Sequence, residues 1–140
     1  NQEVQDLHHK IFPKKFKPHS IADMSEIFKK FLSDKNSAIL IAYSEKDKPI
    51  GYVIYENKNH RETGFTFGYK SIYIHHISVN QEYQGKGAGK KLIQEVIDKT
   101  KELGIDCIEL DVWSQNKFAK KFFKNLGFKA FNEKMSLDLK

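Results

Sequence analysis

The sequence has little cysteine and no long hydrophobic run, and both shortages exclude classes of protein. Cys107 is the single cysteine among 140 residues, which excludes an internal disulfide, and its place in the apolar stretch 105–112 predicts a buried thiol in a reducing compartment. No apolar run approaches the ~20 residues of a membrane-spanning helix, so we expect a soluble protein with no membrane partner. Residues 1–4 lack the basic and apolar regions of a secretory signal, and the chain does not begin with Met. A cytoplasmic location is therefore predicted.

The sequence also lacks a convincing set of metal ligands. His8, His9 and His19 do not share the spacing of a zinc site, so we predict no metal. A hydrophobic content of 39% with 13% aromatic residues argues for a folded core rather than disorder. The net charge of +6 favours an anionic ligand such as a nucleotide, a nucleic acid or an anionic surface. A lysine-rich surface without any ligand explains the charge equally well.

The apolar periodicity predicts one domain over residues 1–140, without repeats or linkers, in which helices cover a mixed sheet. This is an α/β (α+β mixed) fold class. The predicted helices cover 2–11, 20–32, the stretch after the glycine turn up to Leu103, and 116–126. The predicted strands cover 38–43, 49–55, 65–69, 71–79, 105–113, 128–131 and 135–139, with a loop over 56–64. The strands over 65–69 and 71–79 form either a hairpin or one long kinked strand.

A glycine-rich turn separates the predicted strand that ends at Val79 from the helix that follows. Gly85, Gly87 and Gly89 alternate within five residues. Strand, glycine turn and helix form an anion site, because backbone N–H groups converge on a phosphate at the positive end of the helix. A turn that only joined a strand to a helix would not need three glycines.

Two nucleotide motifs do not fit this turn. A Walker A loop requires a hydroxyl where Lys91 stands and a glycine where Gln84 stands. A dinucleotide fingerprint accepts Gly85 and Gly87, but Lys90 stands where its third glycine is required, and the turn lies in the middle of the chain.

The third interpretation is acyl-coenzyme A. The pattern Gln84-x-x-Gly87-x-Gly89, five residues after Val79, resembles the Q/R-x-x-G-x-G/A signature of the GNAT superfamily of N-acetyltransferases. A second block resembles that superfamily's N-x-x-A-x-x-L/F-Y-x-x-x-G-F segment, namely Asn116-x-x-Ala119-x-x-Phe122-Phe123-x-x-x-Gly127-Phe128. The blocks stand in the family's order, and the resemblance is close over residues 73–128.

The resemblance implies a GNAT-like central mixed, mostly antiparallel sheet flanked by helices. The sheet would be splayed between the strand ending at Val79 and the strand starting at Ile105. The first strand of such a fold is not evident, consistent with a truncated N-terminus.

The resemblance also implies acetyl-CoA as co-substrate. Backbone N–H groups of residues 85–90 would bind its pyrophosphate, lysines would attract its 3′-phosphate, and strand backbone near Ile77 and Val79 would meet the pantetheine. The implied cofactor-binding residues are Ile77, Ser78, Val79, Gln84, Gly85, Lys86, Gly87, Ala88, Gly89, Lys90, Asn116 and Phe123.

Catalysis requires a base that accepts the proton of the amine. Side chains alternate along a strand, so only one of His75 and His76 would point into a given face of the cleft. GNAT enzymes often place a Glu or Tyr on this strand at positions that share the parity of Val79, and the matching positions are Tyr73 and His75. His75 is the preferred base, because histidine titrates near neutrality; His76 and Tyr73 follow. Alternatively, both imidazoles are structural and water takes the proton.

One departure from the family pattern concerns the general acid that would protonate the leaving thiolate. Phe123 stands where the family commonly has the Tyr that is thought to protonate the leaving thiolate, and phenylalanine carries no proton to donate. We therefore predict no general acid. Glu109 and Asp111 either hold a cationic amine or are surface charges.

The expected function is transfer of acetyl from acetyl-CoA to a primary amine of an unidentified small molecule or peptide, by direct attack in a ternary complex. The oxyanion would meet a backbone N–H near Ile77. One alternative is a non-catalytic acyl-CoA sensor of the same fold. A basic nucleic-acid-binding protein fits less well, because the lysines alternate with acids and no nucleic-acid motif appears. Relatives are often dimers, so the resemblance allows a homodimer.

Overall fold

The computed structural model of the protein describes residues 2–11, 13–18 and 20–139. Along these residues the elements are α1 (Gln2–Ile11), α2 (Ile21–Ser33), β1 (Ser37–Tyr43), β2 (Pro49–His60), β3 (Tyr69–Val79), a 3₁₀ turn (Gln81–Tyr83), α3 (Ala88–Glu102), β4 (Ile108–Leu110) and α4 (Lys117–Asn125). The four predicted helices are confirmed.

The four strands form one sheet in the order β1-β2-β3-β4. The first three strands are antiparallel, and β4 runs parallel to β3. The parallel pairing joins Ile72–Ile74 to Ile108–Leu110, whereas β3 continues to Val79. The sheet therefore opens along the C-terminal half of β3. The predicted mixed, mostly antiparallel sheet flanked by helices is confirmed, with the fourth strand beginning at Ile108 rather than Ile105.

Helices cover both faces of the sheet. On one face, α3 and α4 pack on a buried apolar cluster formed by Val53, Tyr55, Ile72, Ile74, Leu92, Ile93, Val96, Ile105 and Phe123. On the other face, the Phe28 ring of α2 packs edge-on against Tyr52 at 5.0 Å, and Phe31 lies 4.7 Å from the His75 ring. Residues of β3 thus face either the α3/α4 core or the α2 side.

A β-bulge interrupts the pairing of β2 and β3. His76 lies opposite Ile54 and Ile74 lies opposite Tyr55, so two neighbouring residues of β2 face three residues of β3. His75 is the additional residue. A bulge bends its strand and redirects side chains.

The strict alternation predicted for residues 72–79 is therefore wrong. Ile77 and Val79 pack against the same cluster that contains Ile72 and Ile74, although their parity differs. His76 shares the face of its partner Ile54, and the His75 ring contacts α2, so both imidazoles lie on the α2 side of the sheet.

Two predictions for the β2–β3 hairpin are also wrong. Residues 56–60, predicted as loop, continue β2, because they pair with residues 69–73 despite their polar side chains. Residues 61–68 connect the strands, so the predicted strand over 65–69 reduces to the start of β3.

The later strands are shorter than predicted or absent. The strand predicted over 105–113 keeps only Ile108–Leu110, because β3 is its one partner among the described residues. The two final strands, over 128–131 and 135–139, do not form; nothing in the described chain pairs with them.

Gly51 lies where β2 passes close to the end of β3. A Cβ there would stand 2.7 Å from the carbonyl oxygen of Ser78 and 3.2 Å from Cα of Val79. We expect Gly51→Ala to lower the free energy of unfolding by about 1–3 kcal/mol, because β3 must shift to make room. Urea unfolding measures this loss. Gly64→Ala is the control: a Cβ at Gly64 meets nothing within 4 Å, and equal losses in the two variants would contradict the packing argument.

Candidate active site

The end of β3 leads directly into the glycine loop, at the open side of the sheet. The Asn80 N–H donates to the Ile50 carbonyl at 2.8 Å, which ties the start of the loop to β2. The Gln84 Nε2 donates to the Val79 carbonyl at 2.9 Å, which closes the loop back on the strand end. The glutamine of the signature therefore shapes the loop.

Two glycines give the loop its turn. Gly85 and Gly87 have φ values of +74° and +89°, in the left-handed region that favours glycine. Gly87 is the N-cap of α3, whose first backbone hydrogen bond runs from the Lys91 N–H to the Gly87 carbonyl at 3.0 Å. The N–H groups of residues 88–90 precede this bond, and no group within the described residues accepts from them. Such donors at a helix N-terminus suit a phosphate.

The third glycine of the pattern has a packing role. A Cβ on Gly89 would lie 3.2 Å from the Phe122 ring and 3.7 Å from a methyl of Val79. Gly89 therefore allows α3 to approach both α4 and the end of β3.

The second signature block holds α4 in place. The Asn116 Oδ1 accepts from the Ala119 N–H at 3.1 Å and caps the helix. Phe123 is buried, with the Phe122 ring 5.1 Å away and the Phe128 ring 5.5 Å away, both edge-on. Both predicted cofactor contacts, Asn116 and Phe123, thus have structural partners within the chain.

Side chains from three elements, α2, β2 and β3, surround His75. Its Nε2 lies 2.6 Å from Oε2 of Glu56, and both side chains are half-buried, with exposed fractions of 22% and 26%. The Phe31 ring lies 4.7 Å from the imidazole, and the Tyr73 ring lies edge-on at 4.8 Å. A carboxylate on one ring nitrogen sets the orientation of the imidazole and leaves the other nitrogen for a second partner.

Tyr73 is held beside His75 by a hydrogen bond across the sheet. Its hydroxyl donates to the Asp111 carboxylate, and Lys58 Nζ lies 4.2 Å from the ring centroid. Burial and the bond to Asp111 raise the pKa of Tyr73 to about 12. A phenol with this pKa keeps its proton near neutral pH, so Tyr73 is better suited to donate a hydrogen bond than to act as a base.

His76, like its neighbour His75, is half-buried. Burial lowers the pKa of His76, and the charge of His75 lowers it further. The folded protein therefore favours neutral His76, while the unfolded chain binds a proton more readily.

We expect the protein to lose stability as pH falls from about 7 to about 5. In that interval the unfolded state takes up more protons than the folded state, because His76 has its lowered pKa only when folded. The melting temperature measured against pH tests this, with His76→Gln as the comparison. The variant should lose less on acidification, and parallel curves would contradict the assignment. His8, whose pKa burial also lowers, contributes equally to both proteins.

The two acids of β4 and its end already have partners on β3. Glu109 accepts from the Tyr69 hydroxyl at 2.8 Å and from the Ser71 hydroxyl at 3.3 Å. Asp111 accepts from Tyr73. These bonds tie β4 to β3 just below the opening. The adjacent Cys107 is half-buried, and burial raises the pKa of its thiol.

No group of three or more histidine, cysteine or acidic side chains that could hold a metal ion occurs in residues 2–11, 13–18 and 20–139. His19 lies outside these residues. None of the helices in the described part of the chain combines the length and hydrophobicity of a membrane span.

Sequence reasoning missed Glu56. Glu56 stands at the start of the stretch predicted as a loop. Its alternation with Tyr52 and Ile54, on the same face of β2, was the signal that could have placed it in the strand. Phe31 was assigned to the apolar face of α2, but its contact with His75 depends on how α2 crosses the sheet.

The mixed sheet opens beside the glycine loop, and the N-terminus of α3 lies at the opening, where its N–H groups suit an anionic ligand. A model of the acetyltransferase (GNAT) family matches residues 1–128 of this chain. The chain belongs to the GNAT family.

Known proteins of this family resemble the chain at low identity. Human N-acetyltransferase 8B is 29% identical over 109 residues, which are 76% of this chain and 45% of that protein. The chain thus spans about half the length of this curated relative. The X-ray structure of a tetramutant of the BH1408 protein from Bacillus halodurans superposes with a TM-score of 0.92 at 25% identity, over 98% of this chain and 88% of that one. AAC(6')-Iy in complex with a bisubstrate analogue containing CoA has the same fold, with a TM-score of 0.71 at 18% identity over 98% and 89%.

Proposed function

We propose that residues 1–140 form one domain that transfers acetyl from acetyl-CoA to a primary amine. The glycine loop is the main support for this proposal, because it presents the unpaired N–H groups of residues 88–90 at the open end of β3. Membership of the GNAT family and the CoA analogue bound to AAC(6')-Iy support it. A cytoplasmic location is part of the proposal and rests on the thiol of Cys107.

The cofactor would lie along the opening between β3 and β4. Its pyrophosphate would accept hydrogen bonds from the loop and from the first turn of α3, with Lys86 and Lys90 nearby as flexible cations. Its pantetheine amides would pair with the backbone of β3 beyond Ile74, where β4 no longer pairs. The proposed contacts are Ile77, Ser78, Val79, Gly85, Lys86, Gly87, Ala88, Gly89 and Lys90, with Gln84, Asn116 and Phe123 supporting the loop and α4.

The reaction forms a C–N bond and breaks the C–S bond of the thioester. The neutral amine attacks the carbonyl carbon, a backbone N–H near Ile77 meets the oxyanion, and the thiolate of CoA departs. His75 accepts the proton from the nitrogen, and Glu56 orients the imidazole at 2.6 Å. His76 is the next candidate for this role, and Tyr73 ranks last, because its raised pKa keeps the phenol protonated near neutral pH. Because Phe123 has no proton to donate, the thiolate takes its proton from water.

The missing acid favours one rival function, a sensor that binds acyl-CoA without turnover. An assay of CoA thiol release from acetyl-CoA over a panel of amines distinguishes the two. The panel should contain aminoglycosides, amino acids, polyamines and short peptides with free N-termini. Transfer predicts release that depends on at least one amine class. A sensor binds the cofactor and releases no thiol with any of them.

A further inference from the structure

The tip of the β2–β3 hairpin, residues 61–68, carries two aromatic side chains that the fold leaves in solvent. Phe65 is 100% exposed and Phe67 is 88% exposed. Rings this exposed add nothing to the packing of the core. Single apolar residues are ordinary on a protein surface, but a cluster at the apex of one hairpin is typical of an interaction site.

Hydrogen bonds within the tip hold it in a defined shape. The Thr63 N–H donates to the Thr66 carbonyl at 2.9 Å, and the Thr63 Oγ1 accepts from the N–H groups of Phe65 and Thr66 at 3.2 and 3.1 Å. Below the tip, a Cβ on Gly68 would stand 3.1 Å from the His60 carbonyl oxygen, so the two sides of the hairpin lie close together. Because the tip is already ordered, binding through its rings loses little conformational entropy.

The tip lies at the end of the sheet opposite to the cofactor opening. β3 begins at Tyr69, beside the tip, and ends at Val79, where the glycine loop follows. At ~3.3 Å per residue, the two ends of this strand are about 30 Å apart. A surface bound at the tip therefore leaves the glycine loop accessible to acetyl-CoA.

Cations flank the two rings. Residues 58–70 contain three cations, Lys58, Arg61 and Lys70, and one acid, Glu62. Arg61 and Lys70 are exposed, one on each side of the tip. Anionic lipid headgroups attract such side chains, and each cation near the surface strengthens binding about fivefold. The charge around the tip thus complements an anionic bilayer.

The size of the patch favours a bilayer over a protein partner. Each phenylalanine offers about 200 Å² of surface, so the two rings provide about 400 Å². A standard specific protein interface takes about 800 Å² from each partner. A bilayer requires no complementary pocket, because apolar rings enter the acyl boundary while cations stay at the headgroups.

We propose that the hairpin tip binds the surface of an anionic lipid bilayer, with Phe65 and Phe67 inserted and with Arg61 and Lys70 at the headgroups. The expectation of no membrane partner considered spanning helices only, whereas this contact is peripheral. Anionic lipids face the cytoplasm, so the contact agrees with the proposed location. It holds the domain at a membrane with its cofactor opening towards solvent.

Co-sedimentation of the parent chain with lipid vesicles tests the proposal. The vesicles contain phosphatidylcholine with about 30% phosphatidylserine at about 0.15 M salt, and vesicles of phosphatidylcholine alone are the comparison. We expect saturable binding to the anionic vesicles and at least about fivefold weaker binding to the neutral ones. In Phe65→Ser/Phe67→Ser, binding should fall at least about 10-fold, because insertion of a quarter of the patch accounts for that factor.

Ile21→Ser/Leu32→Ser is the matched control. Ile21 and Leu32 are also highly exposed, at 77% and 73%, but they lie on α2 rather than at the tip. This variant should bind the anionic vesicles as the parent does. Both double variants should keep the parental melting temperature, because none of the four side chains is buried.

Phe67→Trp reports insertion directly. Its added tryptophan emission should shift to shorter wavelength and be quenched by brominated acyl chains in anionic vesicles, with the parent, which has only Trp113, as background. A parent that ignores anionic vesicles, equal binding to neutral ones, or a Phe65→Ser/Phe67→Ser variant that sediments like the parent would each overturn the proposal. A parent dimer that this variant loses in light scattering would assign the tip to a second copy and overturn it as well.

Discussion

Replacing Gly87 with valine should reduce acetyl-CoA affinity by at least about 100-fold, as measured by calorimetric titration. Gly87 has φ +89° as N-cap of α3, and a β-branched residue is strongly disfavoured there. The loop must change shape to relieve the strain, and the N–H groups of residues 88–90 then no longer converge. Each hydrogen bond to a charged phosphate contributes about 1.5–3 kcal/mol, so losing two accounts for the effect.

Gly104→Val is the matched control for this experiment. Gly104 also has a positive φ, +69°, and follows the C-terminal end of the same helix, away from the loop. We expect it to lose comparable thermal stability while binding acetyl-CoA with near-parental affinity. If Gly104→Val lost affinity as severely as Gly87→Val, the effect would reflect general destabilisation and the loop would not be the phosphate site.

His75→Ala should lower kcat/KM by about 100-fold or more at neutral pH, because a positioned base contributes at least that factor. The shape of the pH–rate profile should also change in the variant, because the side chain that accepts the proton is absent. Glu56→Gln keeps a hydrogen-bonding group 2.6 Å from His75 but removes the carboxylate that orients the imidazole, so we expect a smaller loss of kcat/KM. The complete pH–rate profiles of the three proteins measure these effects.

His60→Ala is the control for the His75 experiment. His60 lies on the same hairpin, is half-buried, and has a hydroxyl at 2.9 Å and a carboxylate at 3.6 Å, from Ser71 and Glu109. His60 therefore matches His75 in burial and bonding but has no proposed role in the reaction. The activity of His60→Ala should remain near the parental value. An unchanged profile in His75→Ala would remove His75 from the mechanism and leave His76 or water as the proton acceptor.

The cofactor side of this site could be predicted because its determinants are local in sequence. Gly85 and Gly87 are needed wherever the chain turns with positive φ, and the helix start follows within three residues. The cap made by Asn116 is equally local. Such features depend only on residues a few positions apart, so they can be recognised in the sequence without knowledge of the tertiary structure.

The catalytic side could not be predicted in the same way, because it depends on strand register. The bulge at His75 places both histidines on the α2 face, and no feature of residues 72–79 alone marks the additional residue. Glu56 joins the site only because β2 extends through polar residues whose pairing comes from the partner strand. The strands predicted over 128–131 and 135–139 do not form, because no strand among the described residues pairs with them.

Acetyl transfer is tested by mass-spectrometric detection of the acetylated amine. The protein is incubated with acetyl-CoA carrying an isotopically labelled acetyl group and with the amine that gives the fastest thiol release. Transfer predicts that the labelled acetyl appears on the amine in equal amount to the thiol released, and that Gly87→Val loses both together. Saturable acetyl-CoA binding with no labelled amine, or thiol release without acetylated product, would contradict the assignment of this protein as an N-acetyltransferase.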